Sequence, residues 1–261
     1  MAGVSRFFGG RGATIMKEDP GVGPGVGTKA LLQGVLVAST GLGDFLDGLV
    51  DAAVSDVSAD GTTVSVSVTL LRPRTKVTIA SNCAAARHLA KVQVRYHDGP
   101  SVRAAETGAT VSTPDVASEV SLPLYRAAAL EYGIRSSLDV PVALEGPERA
   151  SINYYSSGPA MFSADRIDLA EHFARQASAP LGLALRVARL TEMAEDLTAA
   201  MESRTTIDLA AGVIMAQNRC SQEGAIDILR AASSARGIKL RDLASTILTS
   251  TIDAPVTTHF D

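Results

Sequence analysis

The chain has 261 residues, 46% of them hydrophobic and 20% charged, with a net charge of −4. That length allows one or two domains with an ample apolar core, and the slightly acidic balance excludes a polybasic nucleic-acid coat. Two cysteines far apart in sequence, Cys83 and Cys220, exclude a disulfide framework; no run of about 18 apolar residues suits a membrane span, and no apolar segment near the N-terminus reads as a secretory signal, so a reducing cytoplasm is the expected compartment.

Residues 1–28 are Gly-rich and close on the repeat from Asp19 to Gly27, the composition of a flexible tail. The order Gly27-Thr28-Lys29 is not the Gly-Lys-Ser/Thr of a phosphate loop, and no strand precedes it. A mixed α and β domain is expected over 29–182. Its first helix runs from about Asp44 to Val57. Thr62–Arg72 follows, where Val64, Val66, Val68 and Leu70 alternate with polar residues, the period of a half-buried strand. Arg72-Pro73-Arg74-Thr75 forms a turn and Lys76–Ser81 returns as the partner strand. A further strand is expected around Val92–Val94. His97-Asp98-Gly99-Pro100 breaks the chain, Ser101–Thr107 is a short helix, and Val111–Asp115 a short strand and turn. A helix follows at Leu122–Glu131. Gly133–Val142 and Ala150–Tyr155 are strands flanking the turn Glu145-Gly146-Pro147-Glu148, and Ser163-Ala164-Asp165 caps a final long helix.

This order of elements resembles a GAF domain, a sensory sheet with flanking helices. The resemblance is carried by His97-Asp98-Gly99-Pro100-Ser101, Gly108-Ala109-Thr110-Val111, the segment Gly133 to Pro141, Phe162-Ser163-Ala164-Asp165 and Tyr154-Tyr155-Ser156. It implies a pocket that holds a small-molecule ligand or stands empty, with His97, Ser136 and Asp139 as candidate ligand-binding residues. No haem-ligand or cyclic-nucleotide pattern is evident. His97 also reads simply as a polar turn residue.

Residues 183–203 are expected to form a coiled-coil linker. Leu183, Leu190, Leu197 and Arg204 fall seven apart; Arg186, Met193, Ala200 and Ile207 fill the other seam position. The spacing predicts a homodimer through Leu183, Leu190, Met193, Leu197 and Ile207. Its competitor is a single amphipathic helix packed on its own domain. Pro180 should kink this helix or start a new one.

Residues 204–250 carry three short alanine-rich helical patterns. Ile207, Ala210, Ala211 and Ile214 recur at helical spacing, then Ala225, Ile228, Leu229 and Ala232, then Leu240, Leu243, Ala244, Ile247 and Leu248. Ser221 suits an N-cap and Gly237 a C-terminal cap. Gly212 inside the first helix costs roughly 1 kcal/mol against Ala, which implies a close contact or a surface that must stay bare. Arg204, Ile207, Ala210, Gly212, Met215, Ala225, Leu229, Arg230, Ala232, Lys239, Leu240, Asp242 and Ala244 together resemble an ANTAR domain, a three-helix RNA-binding module of antitermination regulators. The fold class expected for the whole is therefore α+β: a GAF-like sheet with flanking helices, a coiled-coil linker helix, a three-helix ANTAR-like bundle and a tail at 251–261.

The RNA-binding residues so implied are Arg204, Ala210, Gly212, Met215, Arg219, Lys239 and Arg241. Lys239 and Arg241 flank the start of the third helix, whose free N–H groups favour phosphate. With no aromatic residue in the module, stacking on bases falls to arginine. The function implied is a signal-responsive regulator that binds hairpins in nascent leader transcripts and so reaches RNA polymerase only indirectly. Two rivals stand beside it. A dimeric DNA-binding factor needs a recognition helix with polar residues aimed at base edges, and the third helix offers only Arg241 and Ser245. A dimeric scaffold with an empty sensor is the other. No catalytic or metal-binding residues are expected, since none of His88, His97, His172 and His259 pairs with Cys or a carboxylate at metal spacing.

Overall fold

The computed structural model describes residues 24–57, 63–73 and 77–251. Most of the Gly-rich tail and residues 252–261 of the C-terminal tail lie outside them, as do parts of the expected 62–72 strand and 72–75 turn. The chain divides into two compact units, residues 1–184 and 185–261.

In the first unit, helix α1 (Pro24–Ala38) already occupies the end of the stretch expected as tail, and α2 (Leu42–Val57) follows. α2 buries Phe45, Leu46, Leu49, Val50 and Ala53 along one side, the 3.6-residue period of a helix packed on a core. Strands β1 (Ser65–Leu71) and β2 (Thr78–Ser81) form a hairpin. Helix α3 (Ala84–Tyr96) comes next and corrects the strand expected at Val92–Val94. Val92-Gln93-Val94 is too short to separate the two periods. What decides it is the burial of Ala86, Leu89, Ala90 and Gln93 on one helical face. Cys83 caps this helix, its Sγ accepting from the Ala86 N–H, and His97 closes it in the left-handed region at φ 50°.

Helix α4 (Pro100–Thr107) has Pro at its first position, where a missing N–H costs nothing. Strand β3 (Val111–Thr113), helix α5 (Pro123–Glu131) and the hairpin of β4 (Ser136–Val142) and β5 (Arg149–Ser156) complete the unit's sheet. Its strand order is β2-β1-β5-β4-β3, every pairing antiparallel.

Register then sorts the side chains. Val66 faces Tyr154, Val68 faces Ile152 and Leu70 faces Ala150 across the β1–β5 ladder; Leu138 and Val140 continue the row on β4. This row is apolar apart from the Tyr154 hydroxyl, and α2 packs against β1 and β2. The opposite face carries Ser67, Thr69, Ser137, Asp139, Ser151, Asn153 and Tyr155, every one buried. Helices α3 and α4 contact β1, and α4 also packs on β4 and β5. β1 is therefore covered on both faces, not half-buried as its alternation suggests.

Helix α6 (Ala164–Asn218) is a single element through Pro180. Its early turns bury Ala170, Phe173, Ala174, Ala177 and Leu181. Its last turns belong to the second unit, so the first of the three expected short helices is the end of α6. Helices α7 (Gln222–Arg236) and α8 (Leu240–Thr251) follow. Ser221 caps α7, its Oγ accepting from the Gly224 N–H at 3.2 Å, and Gly237 ends it in the left-handed region at φ 64°. Ala210, Ala211, Ile214, Ala225, Leu229, Leu243, Ala244 and Leu248 form the core of this bundle. The alanines permit close helix approach, while each buried Leu or Ile adds about 1.5–3 kcal/mol.

Candidate functional site

The second unit sorts the residues expected to meet RNA into an inner and an outer set. Ala210 is 0% exposed inside the bundle core, so its side chain is closed to RNA; its small size serves packing. Met215 is half-buried against the same core. Arg204, Gly212, Arg219, Lys239 and Arg241 are exposed. Lys239 directly precedes α8, its carbonyl accepting from the N–H groups of Asp242 and Leu243. Arg219 follows α6 with φ 52°, an unusual conformation for a residue with a Cβ, and turns the chain toward α7. The cations are held loosely. Arg204 lies 3.8 Å from Asp208, Arg230 3.6 Å from Asp227 and Arg241 3.5 Å from Asp242, all at the surface. Exposed pairs of this kind contribute about 0–1 kcal/mol, so a phosphate can displace the carboxylates.

Gly212 is the sharpest of these positions. It is exposed, and a Cβ built on it would meet nothing within 4 Å. Among the described residues, no packing contact needs a glycine there. Its helix-interior cost of roughly 1 kcal/mol is not offset by anything within the bundle.

The heptad stripe precedes the bundle in the chain. Every residue from 189 to 202 is exposed. Leu190, Met193 and Leu197 are exposed by 62%, 61% and 63%, and Leu183 and Val187 also face solvent in part. Ile207 differs, being partly packed on the bundle core. Ile228, expected on the apolar side of α7, is 45% exposed.

In the first unit the three candidate ligand residues do not converge. His97 is exposed, and its backbone N–H donates to the carbonyls of Gln93 and Val94. Ser136 points its Oγ to the Gly158 carbonyl at 2.7 Å and falls on the apolar-face parity of β4. Asp139 alone lies on the buried polar face. Ser137 Oγ donates to its Oδ2 at 3.0 Å, and Tyr125 OH donates to Ser137 at 2.9 Å. Burial pushes the Asp139 carboxyl up to about 8, against which the Ser137 hydrogen bond pulls only weakly. Burial also raises Tyr125 and Tyr155 above the ordinary tyrosine range, with the Asp139 carboxylate adding to it.

A network missed in the sequence surrounds this acid. Asn153 Nδ2 donates to Ser67 Oγ and Thr69 Oγ1 at 3.2 and 3.0 Å, and Tyr155 OH lies 3.4 Å from Ser67 Oγ. Gln93 Nε2 donates to Tyr155 OH, and Gln93 Oε1 accepts from the Ser101 N–H at 2.8 Å. Three buried polar atoms on this side have no hydrogen-bond partner among the described residues: Asp139 Oδ1, Asn153 Oδ1 and Ser101 Oγ. The signal was present as the polar half of each alternating strand, which sequence alone assigns to solvent.

Compared with known proteins, residues 2–181 match the GAF domain and residues 195–248 the ANTAR domain. No curated protein matches the chain. Among solved structures, the chain is similar to the N-acylhomoserine lactone-dependent LuxR family transcription factor CepR2 from Burkholderia cenocepacia (15% identity, TM-score 0.47, covering 62% of this chain and 98% of that one). It is also similar to the GAF domain of an Acinetobacter phosphoenolpyruvate-protein phosphotransferase (17%, 0.45, covering 64% and 99%). A third is the free methionine-R-sulfoxide reductase of Neisseria meningitidis in complex with its substrate (16%, 0.42, covering 64% and 95%). At such identities and scores, the domain matches and not these structures identify the two units. Both matched domains are regulatory, and among the described residues no helix is long and apolar enough to cross a membrane.

Proposed function

The chain belongs to the GAF domain family and carries an ANTAR domain, and from that premise we propose that it is a homodimeric, signal-responsive antiterminator that binds hairpins in nascent leader transcripts. A GAF domain senses signals and an ANTAR domain binds RNA, so the general kind of regulator follows from the two matches together. The finer reading concerns the hairpin, the dimer and the transcript. Bound to a leader, the protein holds the RNA in a form that excludes the terminator, and so acts on RNA polymerase without touching it.

The observation that carries the reading is Gly212. It leaves a bare helical surface that this chain's own packing does not require. Arg204, Arg219, Lys239 and Arg241 supply loosely held cations on the same unit, suited to phosphate and to stacking on splayed bases. The exposed stripe of Leu183, Leu190, Met193 and Leu197 supports a second copy as partner, because apolar residues seven apart bury one another when two helices wrap. A dimer doubles a module that has only six basic residues between 202 and 250.

The deciding experiment titrates the full chain with a leader-type RNA hairpin and with duplex DNA of equal length at several salt concentrations. Hairpin binding should exceed DNA binding at least tenfold. Equal affinity for both would assign the cations to nonspecific attraction, and preference for DNA would replace this reading with the transcription-factor one.

A further inference from the structure

The sheet of the first unit ends unevenly at one corner. β3 begins at Val111, which pairs with Asp139 on β4. β4 runs on to Val142, so residues 140–142 have β5 on one edge and, among the described residues, no strand on the other. The end of α4, the β4–β5 hairpin and α6 stand around this corner and leave a cleft of about 710 Å³. Pro141, Ala143 and Leu144 give the cleft an apolar wall that is open to solvent.

Four charged side chains line it: Glu106, Glu171, Arg149 and Arg175. Glu171 is engaged twice. Thr110 Oγ1 donates to its Oε1 at 2.6 Å, and Arg175 Nη1 lies 3.7 Å from its Oε2. The Arg175 side chain is 65% exposed, so that pair is weak and its arginine can turn to another anion. Glu106 is exposed near the end of α4, and no described group fixes its carboxylate.

Arg149 is held in place. Its Nη1 donates to the carbonyls of Gly146 and Glu148, each at 2.8 Å. Gly146 has φ 143°, which other residues rarely adopt, and a Cβ there would lie 2.8 Å from Glu148 Oε2. The hairpin turn is thus built on a glycine whose carbonyl anchors the guanidinium. No described residue takes the remaining edge of that guanidinium, Nε with Nη2. The same unit shows twice what this edge binds. Arg103 grips Asp98, and Arg135 grips Asp115, through Nε and Nη2 at 2.8–3.2 Å. The planar fork matches the two oxygens of a carboxylate.

We propose that this cleft binds a small organic carboxylate, its two oxygens on the Nε–Nη2 edge of Arg149 and its apolar body along Pro141, Ala143 and Leu144. This deepens the sensory reading above and rests on it, because it names the class of signal. Arg175 adds a second positive charge to the same cleft. An organic cation suits the cleft less well, since Glu171 already has two donors and Glu106 is not held in place. An inorganic anion would leave the apolar wall uncovered. Glu171 and Arg175 belong to α6, so an occupant meets the helix that runs on to Asn218.

The test titrates the full chain with hexanoate and benzoate. Hexanol and n-hexylammonium serve as neutral and cationic counterparts, and inorganic phosphate as an anion without an apolar body. Calorimetry at millimolar ligand should show saturable binding of at least one carboxylate and of none of the other three. Arg149→Lys keeps the charge but loses the fork, and should weaken binding about tenfold or more. Ala143→Glu, at an exposed position in the cleft, sets a like charge against the ligand and should weaken it too. Thermal unfolding checks that the variants fold; where one does not, the other decides, and failing both, the probe series on the unmodified chain decides alone. The proposal is overturned by no saturable binding of either carboxylate, by equal binding of hexanol or phosphate, or by unchanged affinity in either folded variant. Binding of n-hexylammonium in place of the carboxylates would overturn it as well and assign the cleft to cations. Hairpin RNA is titrated on the same preparations. RNA bound without any carboxylate binding sinks this inference and spares the function; carboxylate bound without RNA does the reverse.

Discussion

The sheet unit and the helical unit place their polar chemistry on opposite sides of the surface. The sheet buries Ser67, Thr69, Ser137, Asp139, Ser151 and Asn153 beneath helices, while the three-helix bundle buries only Ala, Leu and Ile and carries its arginines and lysine outside. Enclosure suits recognition of a small molecule, where a few convergent polar groups in low dielectric fix chemistry. An outer array suits a polyanion too large to enclose, where each contact is weak and salt-dependent. The difference teaches that burial of a polar residue says as much about function as exposure of a charged one.

The stripe between them tests the comparison hardest, because there the helical chain exposes apolar residues. Leu190→Asp with Leu197→Asp should raise the dimer dissociation constant more than about a hundredfold, since charge would be buried without a partner across the seam. Light scattering at micromolar concentration would read the change. A monomeric unmodified chain would remove the stripe from the dimer and leave it without a role.

Next in size is the pH dependence of the sheet unit. Asp139 has its carboxyl at about 8 when folded against an ordinary value of 3.8. The folded state thus binds the extra proton, so this contribution is complete below about pH 4 and is lost as pH rises toward 8. Between pH 5 and 8, urea unfolding should show a loss of roughly 1 kcal/mol per pH unit relative to Asp139→Asn. Parallel pH profiles for the two proteins would show that the acid is not held neutral by burial.

Outer charges should behave in the contrary way. Lys239→Ala with Arg241→Ala should change folding stability by less than about 0.5 kcal/mol, as exposed positions do. Hairpin affinity should fall, and the slope of its logarithm against that of salt should flatten by about 0.7–0.9 per lost phosphate contact. An unchanged slope in the folded variant would return both residues to solvent.

The smallest expected effect separates stability from function most cleanly. Gly212→Ala should stabilise the bundle by up to about 1 kcal/mol, because the added Cβ meets nothing and helix propensity improves. RNA affinity should nevertheless fall if the bare surface is a contact. Gains in both would leave the glycine without a binding role.

Much of this was readable in the residues themselves. Ser221 and Gly237 cap α7 as their types demand, and the Ala, Leu and Ile positions of the bundle follow the helical period. The strands at 65–71, 136–142 and 149–156 follow the alternation of their apolar members. Other readings failed for identifiable reasons. Val92-Gln93-Val94 looks extended over three residues, and only the burial of Leu89 and Gln93 on one side makes the segment helical. Ala210 matches an RNA-binding pattern, yet its small methyl side chain serves the bundle's interior. Ser136 and Asp139 both read as candidate ligand-binding residues, but three residues apart on a strand means opposite faces.

By itself, then, the sequence determined most of the strands, the caps of α7, the heptad stripe and the resemblance of each unit to its family, because those are written in local spacing and residue type. Tertiary structure alone decided that the polar half of the sheet is buried, since α3, α4 and α5 cover a face that alternation assigns to water. It also decided that Asp139 stands there without a cation, because the neighbours of a buried carboxyl come from strands and helices distant in the chain.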